Sequence, residues 1–281
     1  MQIKLKDLKD FGWAIGIIVC LVALFIGLVI ASVNRYSGSK ITTSTPISQE
    51  SAEKNSDVTV LAPGSGGNLS NLITLDETPD AGQEYIDRLT FLCDSSFIGV
   101  RDYGLLSGGT NTDQVWGTDS GSMFVSNLST ASIVLPPDGS TMSIADAAMV
   151  RQPEILIVVV GQDGLNAVDE TEFKTAYAAM LNSIHSASEK TKIVCCSISS
   201  VTSNYSGADG LTTIMISDAN DWIREVCASM NIRFCDAGKA VGDGTGSVET
   251  SYLSSNGKTL NSSGINEILS YLRTHKVQED N

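Results

Sequence analysis

The segment FLCDSSFIG, residues 91–99, ends a short apolar run with an acidic residue and two serines. The run Leu89 to Leu92 has the brevity and the bulky side chains of a strand buried in a parallel sheet. A serine on the sharp turn after such a strand could present its hydroxyl as a nucleophile, which makes Ser95 a candidate. Taken alone, however, Asp94 followed by Ser95 is more often an ordinary helix cap. The interpretation therefore depends on the rest of the chain.

Further along the chain, three runs have the same character as the first. They are rich in β-branched or bulky residues and lie at Ile155 to Val160, Lys192 to Ile198 and Ile232 to Phe234. Runs of this length are typical of strands that are covered on both faces of a sheet. The sequence therefore predicts four buried strands.

Helical patterns alternate with these strands. The first begins at Asp169, which forms a capping-box pattern with Glu172. The second keeps a period near 3.6 and is placed to end at Asn231 in a left-handed turn, and the third begins after Asn261. Alternating strands and helices predict an α/β sandwich with a mostly parallel sheet, whose binding site lies at the carboxyl ends of the strands.

Two other segments fall where this site is expected. Gly161-Gln162-Asp163-Gly164 follows a predicted strand as a tight turn that would bring backbone amides near the same crevice. The second segment, residues 255–261, leads into the last helix. The order and spacing of these segments and of residues 91–99 carry more information than any of them alone.

Together these segments resemble the SGNH or GDSL hydrolase family, in particular its membrane-anchored, extracytoplasmic bacterial members. The resemblance spans residues 84–275 and rests on the segments FLCDS (91–95), VVGQDG (159–164), NIRFCD (231–236) and YLRTH (271–275). It implies a flavodoxin-like three-layer α/β/α fold and a serine nucleophile in the first block. It also implies oxyanion donors from that block, from a glycine and from an asparagine, and an Asp-x-x-His pair before the last helix.

The chain departs from most of these positions. Ser95 keeps the nucleophile position, but Cys93 stands where the family has glycine, and Asp163 occupies the position of the oxyanion asparagine. A carboxylate has no hydrogen to donate to a developing oxyanion. Asn256 stands at the position of the catalytic aspartate and Thr259 at that of the histidine. Without an imidazole, no group with a pKa near neutrality can take the serine proton.

Few side chains could replace the missing base. His275 follows the last helix, and His185 lies near the end of the first long helix, away from the predicted strand ends. Lys258 adjoins the vacant position, and a Ser-Lys arrangement occurs on other folds. Asp163 could act as an unorthodox base. The sequence leaves these alternatives open.

Other residues near the predicted strand ends are candidates for binding. Asp94, Ser96 and Gly161 flank the nucleophile position and the turn after the second run. Trp116 lies in a polar loop and could stack on a sugar ring, although packing against the sheet is the simpler interpretation. Gly121, in the same loop, is a candidate oxyanion amide. The sequence has no phosphate loop, dinucleotide fingerprint or zinc-site cysteine spacing, so we expect neither cofactor nor metal.

The first 33 residues predict a membrane anchor. Phe11 to Val33 contains no charged side chain, and at about 1.5 Å per residue it makes a helix of roughly 34 Å, enough to cross a bilayer. A cleaved signal peptide is the alternative, but its apolar region is usually shorter. The sequence predicts a short cytoplasmic N-terminus (residues 1–10), the transmembrane signal anchor (11–33), a flexible stalk rich in Ser, Thr and Gly (34–82), the hydrolase-like domain (83–277) and a short tail (278–281).

Composition narrows the class of partner. The net charge is -14 and the sequence pI is about 4.4, so the chain repels nucleic acid. A disulfide between Cys227 and Cys235 stays open, since spacing alone cannot decide it.

Two functional hypotheses follow. The first is a membrane-tethered, extracytoplasmic pseudo-hydrolase that keeps the cleft of an esterase and binds a cell-envelope glycan or a partner protein. The alternative is a working serine esterase or acyl hydrolase that removes O-acetyl groups from surface polysaccharide and uses Ser95 with an unrecognised base.

Overall fold

The computed structural model describes residues 72–278. The transmembrane span predicted at Phe11 to Val33, most of the predicted stalk and the last three residues lie outside this range. Within it, no helix combines the length and the apolar composition that a membrane span requires.

Five parallel strands form the central sheet, and two antiparallel strands form a separate hairpin. The sheet has the strand order β2-β1-β5-β6-β7, and each neighbouring pair is parallel. The predicted parallel sheet is therefore confirmed. The strands are β1 (Leu89–Cys93), β2 (Val115–Trp116), β3 (Ser132–Leu135), β4 (Ser140–Ser143), β5 (Ile155–Val159), β6 (Lys192–Cys196) and β7 (Arg233–Cys235).

Between residues 82 and 274, α-helices cover both faces of the sheet. They are α1 (Gly82–Asp87), α2 (Gly99–Asp102), α3 (Ile144–Arg151), α4 (Glu170–Ala187), α5 (Thr213–Met230) and α6 (Ser262–Thr274). Buried side chains of α3, α4 and α5 pack in one apolar core, and those of α1, α2 and α6 pack in a second core on the other face. All five residues of β5 are buried because this strand lies between the two cores. The result is a three-layer α/β/α sandwich.

The helix ends follow the predicted caps. The Asp169 carboxylate accepts a hydrogen bond from Glu172 N at 2.8 Å, and the Glu172 carboxylate accepts one from Asp169 N at 3.0 Å, so the capping box before α4 is formed. Asn231 ends α5 with φ 53°, in the left-handed region. The Asn261 side chain accepts from Gly264 N at 3.0 Å at the start of α6. These three predictions are confirmed.

The sequence interpretation missed the edge strand β2 and the hairpin of β3 and β4. The strand β2 has two residues and the hairpin strands four each, which is too short for periodicity to distinguish them from a loop. Trp116 belongs to β2 and is 1% exposed, packed in the core. Its ring therefore has no open face for a sugar.

The domain begins before residue 83, where the sequence analysis places the boundary. Leu75 N donates to Phe234 O at 2.8 Å, so the chain extends the sheet beyond β7. The Arg233 guanidinium donates to Leu72 O at 2.8 Å, and Ala81 N donates to Arg273 O at 2.9 Å. Residues 72–81, predicted as stalk, thus belong to the folded domain.

All five cysteines of the described residues are buried free thiols. Cys227 packs in the core beneath α5, whereas Cys235 packs in the core on the opposite face of the sheet. The disulfide that the sequence left open between these two residues is therefore not formed. The Cys195 thiol and burial raise the pKa of Cys227, which keeps it protonated and unreactive.

Candidate functional site at the carboxyl edge of the sheet

The candidate site lies where the strand order reverses. The strands β1 and β5 are neighbours in the sheet, but the chain leaves β1 toward β2 on one side and β5 toward β6 on the other. Connections that diverge in this way open a crevice at the carboxyl ends of the two strands. Ser95 follows β1 and Asp163 follows β5, so the topology brings the two residues together.

Asp163 occupies a cradle of backbone N–H groups. Ser95 N donates to Asp163 Oδ2 at 3.1 Å, and Met123 N donates to the same oxygen at 2.9 Å. The Ser95 hydroxyl donates to Asp163 Oδ1 at 2.5 Å. The carboxylate therefore binds both backbone donors and the candidate nucleophile. Asp163 is only 6% exposed, so solvent screens this contact little.

Asp94 stabilises the two loops that form the cradle. Its Oδ2 accepts from Gly161 N at 2.9 Å and from Gln162 N at 2.8 Å, and its Oδ1 accepts from Ser96 N at 2.9 Å and from Ser96 Oγ at 2.5 Å. Burial and the nearby Asp163 charge raise the pKa of Asp94. Asp94, Ser96 and Gly161, which the sequence analysis proposed as binding residues, are all buried, and they tie the loop after β1 to the loop after β5.

Lys258 links the cradle to a second carboxylate. Its ammonium lies 3.9 Å from Asp163 Oδ1 and donates to Asp209 Oδ2 at 2.9 Å. The Tyr205 hydroxyl donates to the same Asp209 oxygen at 3.1 Å. Burial acts to raise the pKa of Asp209, but the hydrogen bonds from Lys258 and Tyr205 outweigh it and lower the pKa. Burial acts to lower the pKa of Lys258, and the bond to Asp209 outweighs it and raises the pKa.

These pKa shifts predict how the stability of the Lys258–Asp209 pair depends on pH. Asp209→Asn is expected to lower the free energy of unfolding by about 1 kcal/mol at neutral pH, because the pair is partly buried. Folding lowers the pKa of Asp209. The difference in unfolding free energy between wild type and variant is therefore fully present above the pKa of the unfolded chain, about 3.9, and disappears as the pH falls through the pKa of the folded protein. Urea unfolding of both proteins between pH 2.5 and 7 measures this difference. Asp113→Asn, at an exposed carboxylate, is the control and should differ little from wild type at any pH.

Asn256 and Thr259, for which the resemblance predicts the acidic and histidine positions, contact each other. Asn256 Nδ2 donates to Thr259 Oγ1 at 2.9 Å, and Asn256 Oδ1 accepts from the backbone N–H groups of Lys258 and Thr259 at 3.0 Å each. Neither side chain hydrogen-bonds to Ser95, whose hydroxyl donates to Asp163. Gly121 N donates to Thr118 O at 3.1 Å within a turn, so Met123 N supplies the cradle donor from this loop.

Both histidines lie at the opposite edge of the sheet. His185 lines a cavity together with Lys192 and Arg233, the first residues of β6 and β7. His275 stacks on Tyr271 with ring centroids 3.7 Å apart, at the end of α6. Because the strands are parallel, their first residues and Ser95 lie at opposite ends of the sheet. Among residues 72–278, therefore, no imidazole is available to the Ser95 hydroxyl.

The site includes residues that sequence reasoning missed. Met123 contributes through its backbone N–H, which residue type does not reveal. Asp209 and Tyr205 come from the loop after β6, and no motif marks them in the sequence.

Within the described residues, no group of three histidine, cysteine or acidic side chains could hold a metal ion.

Both backbone donors of the cradle are occupied by the Asp163 carboxylate. An oxyanion hole needs N–H donors directed at the position where negative charge develops. Here Asp163, which already carries a negative charge, accepts from both donors. A substrate oxygen would have to displace this carboxylate and then develop charge beside it. In this geometry Asp163 holds the Ser95 hydroxyl in place and engages the N–H groups of Ser95 and Met123.

Comparison with known proteins gives similarity in structure alone. A scan against models of protein families finds no match, and a search of curated proteins finds none either. Among solved structures, the chain is similar to a "putative platelet activating factor" from Streptococcus pneumonia, with 17% identity, 74% of this chain and 89% of that chain covered, and a TM-score of 0.49.

Two esterase structures are also similar. A carbohydrate esterase of family 3 from Talaromyces cellulolyticus has 17% identity, 54% of this chain and 65% of that chain covered, and a TM-score of 0.40. A mutant acetyl esterase with acetate ion has 16% identity, 66% and 90% covered, and a TM-score of 0.42. At these identities the likeness concerns the fold alone. The chain itself has a five-stranded parallel sheet with helices on both faces, and Ser95 follows its strand β1.

Proposed function

We propose that this chain is a non-catalytic SGNH-hydrolase-like protein that binds a ligand at the carboxyl edge of its sheet. The observation that carries the proposal is the Asp163 carboxylate in the N–H cradle, bound by Ser95 N and Met123 N. The resident carboxylate satisfies the donors that an esterase would direct at its substrate. The fold is kept, and the chemistry that the fold serves in esterases is blocked.

Magnitudes support this proposal. Losing one oxyanion donor costs about 10² to 10³ in rate, and losing the base of a catalytic triad can cost about 10⁶ in kcat. These losses are not additive, but loss of the base alone leaves a rate only about 10³ to 10⁴ above that of the uncatalysed reaction. Thr259 and Asn256 supply no base, and Asp163 adds repulsion.

We further propose that the domain is extracytoplasmic and tethered to a bacterial cell membrane through the predicted helix at Phe11 to Val33. The ligand is then a cell-envelope glycan or a partner protein. The net charge of -14 argues against a polyanionic ligand such as nucleic acid.

A second candidate function is a working serine esterase. The 2.5 Å hydrogen bond from the Ser95 hydroxyl to Asp163 favours it, because Asp163 would then be the base. This reaction requires the carboxylate to leave the N–H cradle while it still accepts the serine proton. The non-catalytic interpretation requires no such movement.

The two candidates are separated by treating the full-length protein with a fluorophosphonate and measuring its intact mass, alongside Ser95→Ala. We expect no adduct that depends on Ser95, and no hydrolysis of p-nitrophenyl acetate above the rate of the variant. A single adduct that is lost in Ser95→Ala would show an activated serine and would reject the non-catalytic proposal. Ser126→Ala, at an exposed serine, controls for non-specific labelling.

A further inference from the structure

A groove of about 640 Å³ lies beside the Lys258–Asp209 pair, at the same edge of the sheet as Ser95. One wall is the loop after β6, and the other is the segment that leads into α6. The volume lies within the usual range for small-molecule sites. None of the residues that line the groove is charged. The side chains that carry hydroxyl or amide groups include Thr202, Asn204, Ser206, Ser254, Ser255 and Asn256.

The two walls are joined to each other. Thr202 N donates to Gly257 O at 3.1 Å, which connects the backbones of the two loops directly. The ion pair of Lys258 with Asp209 makes a second connection. Walls held in this way lose little conformational freedom when a ligand binds, so the groove is preorganised.

An aromatic ring lines the groove and is held by its neighbours. Tyr205 is half-buried, and its hydroxyl donates to Asp209. A Cβ atom at Gly207 would overlap Tyr205 Oη and Cζ, so the ring occupies the space that a side chain at Gly207 would need. The observed position of the Tyr205 ring therefore requires glycine at position 207.

We propose that this groove binds a neutral oligosaccharide. This proposal specifies the class of ligand for the binding function proposed above, and it rests on that function. Hydroxyl and amide side chains both donate and accept hydrogen bonds, as sugar hydroxyls require. The Tyr205 ring supplies an apolar surface with a polar end. The nearby charges of Asp209 and Lys258 are paired with each other, so a charged ligand finds no free counter-charge in the groove.

The test measures binding to the full-length protein in a zwitterionic detergent by calorimetry. The probes are cellotetraose and chitotetraose, and tetragalacturonate is the anionic counterpart of similar length. At least one neutral probe is expected to bind, and tetragalacturonate to bind more weakly. The double variant Asn204→Ala/Ser255→Ala should raise the Kd about tenfold, since it removes two hydrogen-bonding side chains from exposed positions. Gly207→Ala should weaken binding as well, because it displaces the ring.

The matched control is Asn182→Ala/Ser186→Ala, which makes the same changes at exposed positions of α4. It should leave the Kd unchanged. Absence of binding by both neutral probes, tighter binding of tetragalacturonate, or an equal loss in the control would overturn the assignment. Fluorophosphonate labelling of the same preparation reports separately on the non-catalytic proposal. If Ser95 is labelled and the groove variants still raise the Kd, the non-catalytic proposal is rejected, but the assignment of the groove as an oligosaccharide site is retained.

Discussion

The triple variant Asp163→Asn/Asn256→Asp/Thr259→His is expected to gain esterase activity, at least about 100-fold above wild type toward p-nitrophenyl acetate. Asparagine at position 163 removes the negative charge from the N–H cradle and can donate a hydrogen bond, and one oxyanion donor is worth about 10² to 10³ in rate. Histidine at position 259 supplies a base with a pKa near neutrality. The rate of ester hydrolysis between pH 5 and 9 measures the gain.

The control for this experiment is Asp163→Asn alone. Its rate of ester hydrolysis should remain close to that of wild type, because the negative charge is removed from the N–H cradle but no base is introduced. Adding Ser95→Ala to the triple variant should abolish the gain. If the folded triple variant shows no gain, the loop that carries positions 256 and 259 no longer directs them at Ser95, and the proposed correspondence with the family positions is wrong.

Asp94→Ala is expected to lower the free energy of unfolding by about 3–5 kcal/mol. The side chain is fully buried, and it accepts hydrogen bonds from Ser96, Gly161 and Gln162. Removing the carboxylate leaves these donors buried without partners, and each such group is costly. For a domain of this size, the change lowers the melting temperature by roughly 10 °C. Scanning calorimetry with urea titration measures it.

The matched control is Asp113→Ala, at an exposed aspartate, which should change the free energy of unfolding by less than about 0.5 kcal/mol. A loss of similar size in both variants would mean that Asp94 does not hold the two loops together. In Asp94→Ala, we also expect faster amide hydrogen exchange at Gly161 and Gln162, whose N–H groups lose their acceptor.

The helices α4, α5 and α6 and the central strands could be predicted because their signals are local, whereas the shorter helices α1, α2 and α3 were not predicted. The capping box at Asp169 and the left-handed Asn231 are decided by residues within one turn of the helix. The buried strands β1 and β5 are continuous apolar runs because both of their faces are covered. The short strand β2 and the hairpin carry no such signal, and the inclusion of residues 72–81 in the domain depends on pairing with the distant β7.

The sequence by itself determined that this chain forms an α/β sandwich and that Ser95 follows its first strand, and its resemblance to an esterase family predicts replacements at the aspartate, histidine and asparagine positions. Only the tertiary structure decided what the replacements do. It placed the Asp163 carboxylate on the N–H groups of Ser95 and Met123, and it paired Lys258 with Asp209. These contacts join residues 40 or more positions apart. Side-chain periodicity describes neighbours along the chain, whereas a contact between separate loops depends on how the sheet brings their strand ends together.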